Sequence, residues 1–269
     1  MEKYKRSERL VAITNYLTDH PGELISLGSF SELFSAAKST ISEDLVIIRD
    51  TLERFQQGSL ETLPGAAGGV RFLPGMGHAE TQQFLLDLAE MLSKPERIIP
   101  GGFLYMTDLL FNPVLSSRVG TIFAAKFADL APDCVITIET KGIPLALMTA
   151  KALNVPLVVI RNDSKVTEGS SVSINYVSGS TRRILTMSLP RRSLVKGARV
   201  VVIDDFMKAG GTAKGMLELL EEFDTQVLGV GVLISTLEPK EKLVHEYVSL
   251  LELVEMNEQQ RKISIQPTV

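Results

Sequence analysis

The chain has 269 residues, of which 45% are hydrophobic and 22% charged, a composition that suits a globular protein of one or two domains with a buried core. Its formal net charge of −4 excludes an overall electrostatic attraction to nucleic acid or to an acidic membrane surface, but not a local basic patch. Cys134 is the single cysteine, the first ten residues are polar, and no apolar run approaches the roughly 20 residues of a membrane helix, so we expect a cytoplasmic protein without a disulfide or a membrane partner.

The amino-terminal part of the chain predicts three short helices followed by a hairpin. Apolar residues at helical spacing mark the first helix over residues 7–19. Capping-box patterns at Ser29–Glu32 and Thr40–Glu43 predict the starts of the second and third helices. We expect Gly58 to end the third helix, and the glycine-rich segment 64–69 to join two strands of a hairpin.

This order of elements is typical of a winged helix-turn-helix, whose third helix lies in a major groove of DNA. Carboxylates slightly outnumber Lys plus Arg in this segment, which weakens its attraction to phosphates, and a helical dimerisation or capping module is the alternative interpretation. The candidate DNA contacts are the residues at the start of the third helix, one further along it and one on the wing: Lys38, Ser39, Thr40, Ser42, Arg49 and Arg71.

Pro74–Gly77 resembles a joint between domains, so we expect a winged-helix domain over residues 1–74 and a second domain over residues 75–269. From about residue 101 onward, strand and helix patterns alternate, which predicts an α/β fold with a doubly wound, mostly parallel sheet. We expect the last residues, 258–269, to be loosely held. The candidate strands are Gly102–Met106, Cys134–Glu139, Leu157–Arg161, Arg199–Asp204 and Val227–Ile234, and the candidate helices between them are 114–129, 143–153 and 213–223.

The segment Val200–Thr212 carries the clearest chemical signal. Four apolar residues predict a buried strand that ends in two carboxylates, Asp204 and Asp205, and these suit the two adjacent hydroxyls of a sugar or a Mg²⁺ held with the ligand. Gly210 and Gly211 then uncover backbone amides, and a helix starts there, an arrangement that binds phosphate. The glycine spacing matches neither a Walker loop nor a dinucleotide fingerprint.

Two further loops follow predicted strands. Thr140-Lys141-Gly142 combines a cation with a backbone that an anion can approach, although Lys-Gly turns are common. The long polar span 163–180 has the composition of a functional loop or lid.

The acid pair, the four following residues and the Gly-x-Thr ending at Gly210-Gly211-Thr212 resemble the ribose-phosphate loop of type I phosphoribosyltransferases. The loop at Lys141 resembles the pyrophosphate loop of that family, and residues 163–180 resemble its flexible lid. Together with the winged helix, the whole chain is similar to the purine operon repressors of Gram-positive bacteria.

This resemblance implies a homodimeric repressor of purine biosynthesis genes that releases operator DNA when it binds 5-phosphoribosyl 1-pyrophosphate (PRPP), with the acid pair as the candidate site for an accompanying Mg²⁺. The acid pair would hold the ribose diol, the glycine loop the 5-phosphate and the lysine loop the pyrophosphate. The implied PRPP residues are Asp204, Asp205, Lys208, Ala209, Gly210, Gly211, Thr212, Thr140, Lys141 and Gly142.

Lys208 separates the sensor from the enzyme interpretation. Many purine-using transferases have an acid at this loop position, where it acts on the purine ring, and a lysine cannot replace it. We therefore expect a non-catalytic sensor, with an active purine phosphoribosyltransferase as the alternative. The basic stretch from Arg182 to Arg199 is either a solvated face or a DNA-facing patch, and the three scattered histidines lack the spacing of metal ligands.

Overall fold

The computed structural model describes residues 4–65, 68–163, 169–177 and 183–268. It divides into two compact units, one of Met1–His78 with Ala152–Asn154 and the other of Ala79–Lys151 with Val155–Val269. Within the described residues, none of the helices has the length and apolar character needed to cross a membrane.

The first unit has the predicted order of three helices and a hairpin. Its core joins all five elements, with Phe30, Ile41 and Phe72 among the buried side chains. The two strands pair antiparallel, with Glu61 opposite Arg71. The unit is therefore a winged helix-turn-helix. Its elements are α1 (Arg6–Asp19), α2 (Leu27–Phe34), α3 (Lys38–Arg54), β1 (Gly58–Leu63) and β2 (Gly69–Pro74).

Both predicted capping boxes of this unit are wrong. Helix α2 begins two residues before Ser29, because the Ser26 hydroxyl accepts a hydrogen bond from the Ser29 amide and caps the helix there. Helix α3 follows Ala37 without a side-chain cap, which places Thr40 inside its first turn. The helix also ends at Arg54, before Gly58, because the chain already leaves helical geometry at the exposed residue Phe55.

The second unit contains a six-stranded sheet in the order β12-β11-β10-β9-β5-β6. All neighbouring strands are parallel except β11 and β12, and the central strands are buried on both faces, β5 along its whole length and β9 from Val200 to Ile203. The sheet elements are β5 (Cys134–Ile138), β6 (Leu157–Ile160), β9 (Arg199–Met207), β10 (Gln226–Thr236), β11 (Val248–Asn257) and β12 (Lys262–Pro267). The helices are α4 (His78–Leu92), α5 (Thr107–Leu110), α6 (Pro113–Phe127), α7 (Ile143–Leu153) and α8 (Gly211–Glu221).

Three expectations for this unit are wrong. Of the predicted strand Gly102–Met106, only Phe103–Leu104 forms a strand, β4. It pairs with β3 (Ile98–Ile99) and lies outside the six-stranded sheet. The carboxyl-terminal residues are held in β12, because Ile263 and Ile265 are buried against the sheet. The span 163–180 contains strand β7 (Ser171–Val177), which forms an antiparallel ribbon with β8 (Ile184–Pro190).

Candidate functional site

Strand β9, which carries the acid pair near its carboxyl end, lies at the centre of the sheet. Strand β9 is flanked by β5 and β10, both parallel to it, so the loops that follow the three strands meet at one edge. A cavity of about 450 Å³ opens there. Nine of the ten sequence-predicted PRPP residues line it, and they are Thr140, Lys141, Asp204, Asp205, Lys208, Ala209, Gly210, Gly211 and Thr212.

The tenth predicted residue, Gly142, lies directly behind the cavity wall. A Cβ atom at this position would lie 2.5 Å from Thr137 Oγ1 and 2.9 Å from Asp204 Oδ1. Only a glycine therefore lets the loop after β5 pass this close to the acid pair. Among the buried side-chain nitrogen and oxygen atoms of the described residues, Thr137 Oγ1 is the one without a hydrogen-bond partner, so an unpaired hydroxyl lies beside Gly142.

The loop between β9 and α8 has the geometry of an anion site. Gly210 has a φ of 82° and is the residue before the first turn of α8, so the left-handed conformation is needed where the chain enters the helix. The Gly210 carbonyl oxygen accepts from the Lys214 amide at 2.8 Å. The amides of Gly211, Thr212 and the next residue have no acceptor within the helix, and the positive end of the helix dipole lies with them at the cavity.

The two carboxyl groups are strongly coupled. Asp204 is 6% exposed, and its Oδ1 accepts from the Asp205 amide at 2.9 Å. Burial, followed by the charge of Asp205 and a hydrogen bond with it, raises the pKa of Asp204 well above its ordinary value. Burial also raises the pKa of Asp205, although its hydrogen bond with Asp204 and the nearby Lys141 ammonium act in the opposite direction. The pair thus favours holding a proton until a ligand hydroxyl or a cation satisfies the charges.

The ribbon contributes two cavity residues that the sequence reasoning missed. Tyr176 on β7 and Leu185 on β8 line the cavity and are paired across the ribbon. The buried Tyr176 phenol lies beside the Thr212 hydroxyl, and burial raises the pKa of Tyr176. The alternation of Val172, Ile174 and Tyr176 is a strand signal that could have revealed this element.

Other cavity residues that were not predicted from the sequence are adjacent to the predicted ones along the chain. Glu139 accepts from the Asn162 amide at 2.7 Å and forms an ion pair with Arg161 at 3.5 Å, which joins the ends of β5 and β6. Phe206 adds a half-buried ring beside the acid pair. The predicted lid residues 164–168 and 178–180 lie outside the described residues.

The predicted DNA contacts lie on α3 and the hairpin of the first unit. Lys38, Ser39 and Ser42 are exposed, and Thr40 is half-buried. Both predicted arginines are half-buried and bound to acids of the same unit. Arg49 contacts Asp50 at 3.0 Å, and Arg71 contacts its cross-strand neighbour Glu61 at 2.7 Å.

Two more arginines of this unit are bound to a buried acid. Asp44 is fully buried and accepts from Arg9 at 2.7 Å and from Arg6 at 3.1 Å. Because these bonds join α1 to α3, they fix the orientation of α3.

Two residues of the basic stretch toward Arg199 are bound to groups of the second unit. Lys196 forms an ion pair with Asp224 at 2.9 Å, and Arg199 donates to the Leu130 carbonyl oxygen at 2.6 Å. Arg199 begins β9, at the end of the strand opposite to the cavity. Arg182 lies outside the described residues, and Arg191 and Arg192 are exposed at the end of β8.

Comparisons with known proteins agree with this architecture. Residues 5–74 match the family model described as the amino-terminal domain of the bacterial purine repressor, and residues 107–267 match the phosphoribosyl transferase domain. The chain is 22% identical to an APRTase from Giardia lamblia complexed with 9-deazaadenine, with a TM-score of 0.56 over 64% of this chain and 98% of that chain. This likeness concerns the fold of the second unit.

Two full-length relatives are much closer in sequence. The purine biosynthesis transcriptional repressor PurR of Bacillus subtilis (strain 168) is 54% identical over 264 residues, which are 98% of this chain and 93% of that protein. The purine biosynthesis transcriptional activator PurR of Lactococcus lactis subsp. lactis (strain IL1403) is 42% identical over 262 residues, which are 97% of each chain.

Proposed function

Because the chain belongs to the PurR family of bacterial purine biosynthesis regulators, we propose that it represses purine biosynthesis genes and releases operator DNA when PRPP occupies the cavity. It binds DNA through the winged helix, as a homodimer in the cytoplasm, and uses the phosphoribosyltransferase-like unit as a sensor. The observation that carries the proposal is the convergence of two acids, a glycine loop and a lysine loop around one cavity.

Each part of PRPP has a chemically suitable partner in this cavity. Asp204 and Asp205 accept from the two ribose hydroxyls, because ionised carboxylates are pure acceptors. The amides at the start of α8, with the Thr212 hydroxyl, bind the 5-phosphate. Lys141, beside a backbone uncovered by Gly142, binds the pyrophosphate.

The acid pair also fits Mg²⁺ that arrives with PRPP. The described residues contain no group of three or more His, Cys, Asp or Glu side chains that could hold a metal. Two carboxylates combined with phosphate oxygens of a ligand are nonetheless a usual Mg²⁺ environment. Asp204 and Asp205 would hold the ion, which would supply charge neutralisation for the pyrophosphate.

Lys208 favours sensing over catalysis. It is an exposed cavity residue, at the position where many, though not all, purine-using transferases of this fold carry an acid. Without that acid, a purine base lacks the group that acts on its ring. The alternative, an active purine phosphoribosyltransferase, draws support from the fold that this unit shares with such enzymes.

The winged helix supports DNA binding through helix α3. Its exposed first turn has no side-chain cap, so its amides are open to a DNA phosphate. One relative is named as a repressor and the other as an activator, so the sign of regulation, meaning repression or activation, is part of the proposal. Release of DNA by PRPP is the sign that we propose for this chain.

The experiment is a titration of fluorescent purine-promoter DNA with the protein, with and without PRPP and Mg²⁺. A parallel assay measures nucleotide formation from PRPP and adenine, guanine, hypoxanthine or xanthine. Weaker DNA binding without nucleotide formation supports the sensor, and nucleotide formation supports the transferase. If PRPP leaves the DNA affinity unchanged, the proposal is contradicted. Ribose 5-phosphate and pyrophosphate, each titrated separately, serve as the ligand controls.

A further inference from the structure

The phosphate loop is held from behind by the segment that follows β10. Strand β10 lies beside β9, with Ser235 opposite Met207, so the chain beyond Thr236 passes next to Lys208. The Leu243 amide donates to the Ala209 carbonyl oxygen at 2.9 Å. No sequence motif indicates that this segment contacts the phosphate loop.

Lys242 is the buried cation of this segment. It is 7% exposed, and its Nζ donates to the Thr236 carbonyl oxygen at 2.7 Å and to Thr236 Oγ1 at 3.1 Å. The Thr236 hydroxyl donates its single hydrogen between two carbonyl oxygens, those of Glu238 at 2.6 Å and Lys208 at 3.2 Å. A hydroxyl that accepts from an ammonium is a stronger donor, so Lys242 strengthens this shared hydrogen bond, one branch of which reaches the loop.

These contacts orient the loop. The carbonyl oxygens of Lys208, Ala209 and Gly210 face donors of Thr236, Leu243 and α8 respectively, and none of these donors belongs to a cavity-lining residue. A peptide whose carbonyl points one way directs the neighbouring amide the other way, because the peptide unit is planar and trans. The loop therefore presents amides rather than carbonyls to the cavity, which is the requirement for binding an anion.

We propose that Lys242 is a positioning residue for the 5-phosphate of PRPP, acting through Thr236 on the loop Lys208–Gly210. It does not line the cavity, and it affects the ligand only by holding the peptide groups that do. This inference rests on the proposed function, because it names a support of that same site.

The variant Lys242→Met keeps the aliphatic stem and removes the donors. We expect its PRPP affinity, measured by calorimetry, to fall about 10-fold, since a buried acceptor loses its partner and the loop loses its support. Affinity for ribose 5-phosphate should fall equally, whereas inorganic pyrophosphate, which uses the loop at Lys141, should bind as before. Lys240→Met, at an exposed lysine of the same segment, is the matched control and should leave all three affinities unchanged.

Thr236 provides a second test that does not depend on the folding of the lysine variant. Thr236→Val removes the hydroxyl and should weaken PRPP binding, whereas Thr236→Ser keeps it and should bind normally. If wild-type protein binds PRPP and the Lys242→Met and Thr236→Val variants bind it equally well, the positioning role is refuted. An equal loss for pyrophosphate and ribose 5-phosphate also refutes it, because that pattern indicates general damage. Absence of PRPP binding by wild type refutes the proposed function itself.

Discussion

Asp204→Asn should make the ligand-free protein more stable while it removes the response to PRPP. Asp204 is 6% exposed, beside a second carboxyl group, and burial together with the charge of Asp205 raises its pKa well above the ordinary value. An amide of the same shape carries no charge, so it avoids both the desolvation and the repulsion. It also cannot serve as a full acceptor for the ribose diol.

The size of the gain follows from the kind of site. Relieving the unfavourable environment of a functional group commonly yields about 0.5–2 kcal/mol. In a domain of about 150–250 residues, each kcal/mol shifts Tm by about 2–4 °C, so we expect an increase of about 1–8 °C. Thermal unfolding, followed by circular dichroism without ligand, measures it.

The pH dependence of this gain identifies its cause. A carboxyl group with a raised folded-state pKa contributes most to stability below its ordinary pKa, and this contribution is lost as the pH rises through the folded-state value. The advantage of Asp204→Asn over wild type should therefore be larger at pH 8 than at pH 5. Asp129→Asn, at an exposed site, is the control and should show no such trend. A gain that is equal at both pH values, or a lower Tm at pH 8, would refute the reasoning.

Three further predictions concern the same site and the DNA-binding unit. Because the pKa values of Asp204 and Asp205 are raised, PRPP binding that requires both groups ionised should release protons and tighten as the pH rises from 6 to 8, which calorimetry in buffers of different ionisation enthalpy would detect. Gly142→Ala should abolish PRPP binding and lower Tm, because its Cβ would lie 2.5 Å from Thr137 Oγ1; normal binding by this variant would contradict the close approach of the loop. Ser39→Glu, at an exposed position of the first turn of α3, should weaken operator binding at least 10-fold by repelling phosphate, while PRPP affinity and Tm stay near the wild-type values; unchanged DNA affinity would exclude this turn from the interface.

Local patterns predicted the elements that bury one continuous apolar run or one helical face. Strand β9 is such a run, and its acids lie near its carboxyl end. In doubly wound sheets, this end of the strands is where ligands bind. The boundaries failed where a neighbouring element decides them. Helix α2 is capped by Ser26 rather than Ser29, and both hydroxyls suit a cap. The ribbon strand β7 was missed because its polar residues masked a regular alternation.

The support behind the phosphate loop could not be predicted from the sequence. Thr236, Lys242 and Lys208 become neighbours only because β10 lies beside β9, and strand order is a tertiary property. The same holds for the close approach of Gly142 to Asp204, because α7 and the three strands β6, β7 and β8 lie between the two residues along the chain. Sequence motifs thus indicate the groups that face a ligand, whereas the groups that hold them are found from the fold.

The pairing of charges in the winged helix bears on the free energy that PRPP would have to supply under the proposed release of DNA. Arg49 and Arg71, two of the predicted DNA contacts, are each bound to an acid of their own unit, so a DNA phosphate would have to compete with Asp50 and Glu61 for them. Fewer uncompensated cations give fewer released counterions and a smaller electrostatic share of the affinity. A coupling free energy of about 1–3 kcal/mol between the two ligands would then lower DNA affinity by about 5–150-fold. Such a coupling is within reach of a ligand that satisfies a buried acid pair.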